Sequence, residues 1–98
     1  MAKYRLSKAA LKDLDAIWLY TVHKWSKQQA SLYYREIVAE IKKICVSETD
    51  YGTKYFDVLE GLYFRRCNKH FIFYRFANDG KVEIIRILHK MMDIESKF

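Results

Sequence analysis

The residues of this chain with the greatest capacity for chemistry are basic and lie in its second half. Arg65 and Arg66 are adjacent, and Arg86 is followed closely by His89 and Lys90. Metal-independent cleavage of RNA needs a base for the 2′-hydroxyl proton, an acid for the leaving oxygen and cations beside the developing phosphorane. Guanidinium, ammonium and imidazole groups could fill those roles, or they could attract an acidic partner by charge alone.

The alternation of side chains along a strand argues against one shared catalytic centre. Arg65 and Arg66 should point to opposite faces of one strand, because side chains alternate with a period of two residues. By the same rule Arg86 and His89 should lie on opposite faces of a later strand, although a turn at the strand end could redirect His89. The predicted companions of Arg86 are Val82, Ile84 and Leu88, and those of His89 are Ile85 and Ile87.

The remaining chemical motifs add no catalytic or metal site. His70 flanks a turn and His23 lies on a predicted helix, and the sequence identifies no partner for either. Cys45 and Cys67 form no CxxC pair and lie in apolar patterns, which is typical of buried free thiols. No glycine-rich phosphate loop, HExxH pattern or nucleophile elbow is present. We therefore expect no catalytic residue, no metal and no cofactor.

Two amphipathic helices are predicted in the first half of the chain. Apolar residues recur at three- and four-residue spacing from 11 to 25 and again from 30 to 45. Ser7 stands at the N-cap position of the first helix. Ser26, followed three residues later by a glutamine, has the spacing of a capping box at the start of the second. The short connection predicts an antiparallel helical hairpin.

The rest of the chain has the pattern of a sheet. Residues 4–6 predict a short edge strand before the helices, and 47–61 show no periodicity and predict a loop. Asp79 and Gly80 form a strong hairpin signal. Three apolar runs predict the remaining strands, namely 62–67, 70–76 and 82–88. The middle run is apolar on both faces, as expected of a central strand covered by helices.

These elements predict an α+β fold in the order β-α-α-β-β-β, as a single domain over residues 1–98. The helical hairpin must bury its apolar stripes, including Trp18 and Ile37, on one face of a small antiparallel sheet. The other face of the sheet is then left for a partner. With 51% apolar and 16% aromatic residues, the chain has enough material for such a core.

Charge and hydropathy restrict the partners and the compartment. A net charge of +6 suits an acidic protein segment, nucleic acid or an anionic surface. No run of about 18 apolar residues exists, and the first residues carry charges too often for a signal peptide. We expect a cytoplasmic protein that does not bind membranes.

The element order and several local motifs resemble the ParE branch of the RelE/ParE toxin superfamily. Residues 87–93, ILHKMMD, are similar to the isoleucine-leucine-histidine, two residues, methionine-aspartate ending of those toxins. Residues 64–74 resemble the central hairpin of the family, 4–7 its first strand, and 25–33 the junction of its two helices. The family often has a proline in the loop after the second helix, and this chain has none.

The resemblance implies the toxin of a type II toxin–antitoxin system, held inactive by a cognate antitoxin whose acidic segment folds as it binds. ParE members are associated with inhibition of DNA gyrase and with plasmid stabilisation, whereas RelE-like relatives cut messenger RNA on the ribosome. RelE-like nucleases carry several basic residues near the loop, but here the loop offers only Lys54 among four carboxylates. An acidic loop is poorly suited to RNA.

We therefore expect a non-enzymatic toxin that binds DNA gyrase. A ribosome-dependent messenger RNA endoribonuclease is the alternative, and a nucleic-acid-binding module without toxicity is a third reading. The candidate contacts with the target or the antitoxin are the basic residues at strand ends: Arg65, Arg66, Arg86, His89 and Lys90.

Overall fold

Both helices begin at the predicted serine caps. The Ala10 N–H donates to Ser7 Oγ at 3.0 Å, and the Gln29 N–H donates to Ser26 Oγ at 3.0 Å. A cap of this kind satisfies one of the N–H groups that a helix start leaves unpaired. The two serines therefore set where each helix starts and how short the connection between them is.

The computed structural model describes residues 4–46, 53–54 and 60–98. The elements are β1 (Tyr4–Leu6), α1 (Lys8–Lys24), α2 (Lys27–Val46), β2 (Thr53–Lys54), β3 (Tyr63–Cys67), β4 (His70–Phe76), β5 (Val82–His89) and a final 3₁₀ turn (Glu95–Lys97). The predicted order β-α-α-β-β-β is confirmed, with the short β2 added inside the segment predicted as a loop. The rest of that loop lies outside the described residues. No helix in the described part of the chain is both long and apolar enough to cross a membrane.

The five strands form one sheet in the order β1-β5-β4-β3-β2. The pairs among β2, β3, β4 and β5 are antiparallel, and β1 alone runs parallel to its neighbour β5. The predicted helical hairpin on a small sheet is thus confirmed, with this one parallel pair at the edge. The two hairpin turns use Asn68 at φ 56° and Gly80 at φ 82°, residue types that tolerate the left-handed region.

A register shift in β5 changes which residues share a face. The pairing with β4 skips Ile85, so that Ile84 and Ile87 both belong to the core beneath the helices. Ile85 and Leu88 belong to the cluster on the opposite face. The predicted grouping of Leu88 with Ile84, and of Ile85 with Ile87, is therefore wrong. An extra residue in a strand reverses the alternation beyond it.

The sheet face away from the helices is partly covered by the chain itself. Leu62, Phe73 and Leu88 are buried there, and Ile94 packs against them. The Phe98 ring meets the Phe73 ring edge-on, with the centroids 5.2 Å apart. The prediction that this face is left for a partner is therefore wrong over this region, because the C-terminal segment occupies it.

The N-terminal part of α1 is bonded to the edge of β5 that β1 leaves uncovered. β1 pairs with β5 only as far as Ile84. Beyond that point the Ser7 N–H donates to the Ile84 carbonyl at 2.9 Å, and Ser7 Oγ donates to the Ile85 carbonyl at 2.6 Å. The N-cap serine thus also provides hydrogen-bond donors for two carbonyl groups at the edge of the sheet, because buried backbone groups need such partners.

Asp13, six residues after Ser7, completes this attachment. Its carboxylate accepts from the Ile87 N–H and from both Arg86 Nε and Arg86 Nη2, each at 2.9 Å. Arg86 Nη1 also donates to the Lys97 carbonyl at 2.9 Å. The two side chains are largely buried, at 21% and 13% exposure. Arg86 therefore joins α1, β5 and the C-terminal segment.

We predict that Arg86→Ala mainly destabilises the protein. Losing one partner of a largely buried pair leaves the Asp13 carboxylate uncompensated, which typically costs 3–5 kcal/mol in full burial and about 2–3 kcal/mol here. Arg75→Ala is the matched control, because Arg75 also bonds a carboxylate, that of Glu83, but is 46% exposed. It should cost less than about 1 kcal/mol. Urea unfolding of both variants measures this, and equal costs would contradict the structural role of Arg86.

A second prediction concerns the packing of the helical hairpin. Ile37 is fully buried in the core beneath the helices, so Ile37→Ala should cost about 3–4 kcal/mol. Trp18 is only partly buried and meets the exposed Tyr34 edge-on at 6.5 Å between centroids. Trp18→Ala should therefore cost about 1–2 kcal/mol, well below the value for a core tryptophan. Denaturant melts that rank the two variants in the opposite order would show that this description of the hairpin is wrong.

Candidate functional site

A cavity of about 950 Å³ opens between the two helices and the end of the sheet where β5 finishes. Its walls are largely apolar, with Ile17 and Tyr20 from α1, Trp25 from the interhelical turn and Met92 from the C-terminal segment. Tyr20 and Trp25 are 62% and 69% exposed, which is unusual for side chains of this size. Exposed aromatic surface beside a concave site is typical of a binding region.

Three polar side chains converge inside this cavity. Tyr33 of α2 and His70 at the start of β4 are hydrogen-bonded, with Tyr33 Oη and His70 Nδ1 2.5 Å apart. His70 pairs with His89 across the β4–β5 ladder, and the two imidazole rings stand edge to face with centroids 5.1 Å apart. We refer to His70 and His89 as the imidazole pair.

The imidazole pair is a consequence of the bulge in β5. Near the Asp79–Gly80 turn, Phe76 pairs with Val82, and an uninterrupted ladder from there would place His70 opposite Leu88. Skipping one residue of β5 moves His89 into that position instead. Sequence reasoning missed the pair, since the hairpin turn is visible in the sequence but the bulge is not.

The protonation states of the cavity follow from burial. Burial, with the nearby His89 as a second cause, lowers the pKa of His70 to about 4, so this imidazole is neutral at pH 7. Burial likewise raises the pKa of Tyr33 to about 12, so the phenol keeps its proton. The Tyr33 hydroxyl can therefore donate to His70 Nδ1.

Of the five predicted contact residues, His89 alone lines the cavity. Its Nδ1 accepts from the Met91 N–H at 3.1 Å, which fixes the orientation of the ring. Lys90 follows directly and is exposed, and its backbone N–H donates to the Lys69 carbonyl at 2.9 Å. His89 thus lies in the cavity, and Lys90 is bonded through its backbone to Lys69, which also lines it.

The three arginines are not gathered at this cavity. Arg65 is paired with Glu40 of α2 at 3.3 Å, and Arg66 Nε donates to the Asn68 carbonyl at 2.9 Å. Arg86 is bonded to Asp13, as described above. The hydrogen bonds with Asp13 raise the pKa of Arg86 further, so its charge is permanently matched by that carboxylate. Two of the three predicted arginine contacts therefore hold helices to the sheet.

The charged groups at the cavity wall are close to balance. Lys24, Lys69, Asp13 and Glu36 line it, and the Asp13 charge is already matched by Arg86. Glu36 is hydrogen-bonded to the Asn68 amide at 2.6 Å. Within the described residues, no three histidine, cysteine or carboxylate side chains are grouped to hold a metal ion. The cavity combines apolar walls, balanced charge and two imidazoles.

The comparison with known proteins covers nearly the whole chain. Residues 4–94 match the family model described as the ParE toxin of type II toxin-antitoxin system, parDE. The chain is 40% identical over 95 residues to Toxin ParE1 of Caulobacter vibrioides, covering 95% of this chain and 94% of that protein. It is 30% identical over 94 residues to Toxin ParE1 of Mycobacterium tuberculosis, covering 96% and 95%.

A solved structure has the same fold. The chain resembles one titled "Chromosomal ParDE TA system from P. aeruginosa", with a TM-score of 0.74, 20% sequence identity, and coverage of 91% of this chain and 96% of the other. This likeness in fold agrees with the β-α-α-β-β-β order of the chain. The chain belongs to the ParE toxin family of type II toxin–antitoxin systems.

Proposed function

We propose that this ParE toxin acts without catalysis, by binding and inhibiting DNA gyrase. Membership of the ParE family supports toxicity, and the state of the cavity supports binding over chemistry. The observation that carries this choice is His70, which is partly buried, neutral at pH 7 and within hydrogen-bond distance of Tyr33 through its Nδ1. A general acid or base works best with a pKa near the operating pH, and a pKa of about 4 makes His70 a poor proton donor and only a weak base at pH 7.

The distribution of cations supports the same choice. Cleavage of a phosphodiester needs positive charge aimed at the phosphorane. Arg65 and Arg86 are each paired with a helix carboxylate, that of Glu40 and of Asp13, and Glu36 lies at the cavity wall. Carboxylates in these positions weaken the grip on a nucleic acid backbone.

One observation favours the alternative, a ribosome-dependent messenger RNA endoribonuclease. His70 and His89 lie in one cavity with Tyr33, whereas the sequence predicted no convergent pair of acid–base groups. Lys69 and Lys90 are close by. The nuclease therefore remains a second candidate, and the activity experiment below separates it from gyrase inhibition.

We also propose that the cognate antitoxin places an acidic, amphipathic segment in this cavity. The exposed rings of Tyr20 and Trp25 offer apolar contacts, and the net charge of +6 attracts an acidic chain. A segment that folds as it binds can fill such a groove with one apolar face. The cavity replaces the sheet face expected from the sequence, since that face is partly covered.

Trp25 tests the antitoxin site. Trp25→Ala should weaken the complex about 30-fold or more, as expected when a central aromatic contact worth about 2 kcal/mol is lost. Val46→Ala is the matched control, because Val46 is equally exposed at 69% but lies at the far end of α2, away from the cavity lining. Calorimetry with the antitoxin encoded beside the toxin gene measures both. Equal effects of the two substitutions would place the antitoxin elsewhere.

The mechanism is tested with the purified toxin in two parallel assays, one of DNA supercoiling by gyrase and one of messenger RNA cleavage on ribosomes. We expect inhibition of gyrase-catalysed supercoiling and intact messenger RNA on ribosomes. In the supercoiling assay His89→Ala should change inhibition only modestly, since one contact at an interface rim costs little. A general acid or base contributes 10²–10⁴-fold. Ribosome-dependent cleavage that is lost in His89→Ala would overturn the binding mechanism and establish the nuclease.

A further inference from the structure

We propose that the imidazole pair is a carboxylate-binding site, in which the Nε2–H groups of His70 and His89 donate to one acidic side chain of the antitoxin segment. The inference rests on the proposed occupation of the cavity by the antitoxin and adds the chemistry of one contact within it. It follows from which ring nitrogens are already engaged.

His89 presents Nε2–H because its other nitrogen is occupied as an acceptor. The Met91 N–H donates to His89 Nδ1 at 3.1 Å. A backbone N–H can only donate, so Nδ1 must carry the lone pair. Neutral imidazole has one proton, and in His89 that proton is therefore on Nε2.

His70 reaches the same tautomer through Tyr33. Tyr33 keeps its proton, because burial raises the pKa of the phenol to about 12, and its hydroxyl lies 2.5 Å from His70 Nδ1. Its own proton is then available for His70 Nδ1, the atom it contacts. With Nδ1 accepting, the single proton of neutral His70 lies on Nε2.

Both Nε2–H groups are open to the cavity. Neither has a hydrogen-bond partner among the described residues, whereas every fully buried side-chain nitrogen or oxygen in that part of the chain has one. An unpartnered Nε2 must therefore reach solvent, and both residues line the cavity. The rings are 5.1 Å apart between centroids, so the two donors belong to neighbouring rings in one cavity, and we infer that one ligand group binds both.

Two donors without an acceptor select an anionic or carbonyl oxygen, and the surroundings favour a single carboxylate. A metal ion needs the Nε2 lone pair of His89, which would move the proton to Nδ1 against the Met91 N–H. A polyanion such as RNA would meet the Glu36 carboxylate beside Lys24 and Lys69. One Asp or Glu on an otherwise apolar helix face avoids that repulsion and fits the walls of Tyr20 and Trp25.

The tautomers can be measured on the free protein before any partner is added. Long-range ¹H–¹⁵N correlation spectra at pH 7 should show the Nε2–H tautomer for both His70 and His89. His23, an exposed residue in the last turn of α1, provides the internal reference. A His89 ring protonated on Nδ1 would overturn the inference without any mutation.

Binding is then measured with the antitoxin encoded beside the toxin gene. His89→Phe keeps a ring but removes the donor, and should raise Kd about tenfold or more, as for a lost hydrogen bond to a charged group. His89→Gln places an amide N–H near the position of Nε2 and should stay within about threefold of wild type. His23→Phe is the control and should bind as wild type.

The contact partner is identified by double-mutant cycles with Asp→Asn and Glu→Gln variants of the antitoxin. One such variant should lose no further affinity in the His89→Phe background, which marks a direct interaction. Wild-type affinity in His89→Phe, or His89→Gln as weak as His89→Phe, would overturn the carboxylate site while leaving the antitoxin site intact. His89-dependent binding of a single-stranded RNA oligonucleotide would also overturn it, in favour of phosphate. Failure of the wild-type toxin to bind the antitoxin would instead refute the proposed function.

Discussion

The edge of β5 that β1 leaves uncovered is the constraint on which the rest of the structure depends. A strand edge packed beneath a helix cannot keep unpaired N–H and C=O groups. β1 has only three residues, so the next groups of β5 need other partners. Ser7, the N-cap of α1, and Asp13, in its second turn, supply them. The hydrogen bonds to β5 thereby position α1 on the sheet, and with it one wall of the cavity.

The same strand explains why neighbouring basic residues have different roles. Arg86 lies beside the uncovered edge, within reach of Asp13. Its guanidinium group is fully engaged in joining β5 to α1 and to the C-terminal segment. His89 lies three residues further on, where the strand ends and the cavity opens. A single bulge between the start and the end of β5 decides that it meets His70. The position of a basic residue along β5, more than its type, therefore decides whether it stabilises the fold, as Arg86 does, or lines the cavity, as His89 does.

Most of the fold could be predicted from local signals in the sequence. Ser7 and Ser26 marked the helix starts, and Asp79–Gly80 marked the last hairpin, because caps and tight turns depend on a few adjacent residues. The ILHKMMD ending indicated the family. The cavity could not be predicted in the same way. The tie between Asp13 and Arg86 spans 73 residues, and the bulge that aligns His70 with His89 has no local signature. Both depend on how distant elements meet.

The parallel pairing of β1 with β5 has a consequence for how the chain folds. Tyr4 can pair with Val82 only after the residues of both helices and of three other strands have been synthesised. Contacts between such distant residues are slow to form, because the loop entropy is lost before the contacts are gained. During synthesis on a ribosome, β1 and α1 therefore cannot form their hydrogen bonds to the sheet until β5 has been synthesised. The cavity cannot be completed until the chain has been translated through Met92, so a shorter nascent chain lacks the assembled site.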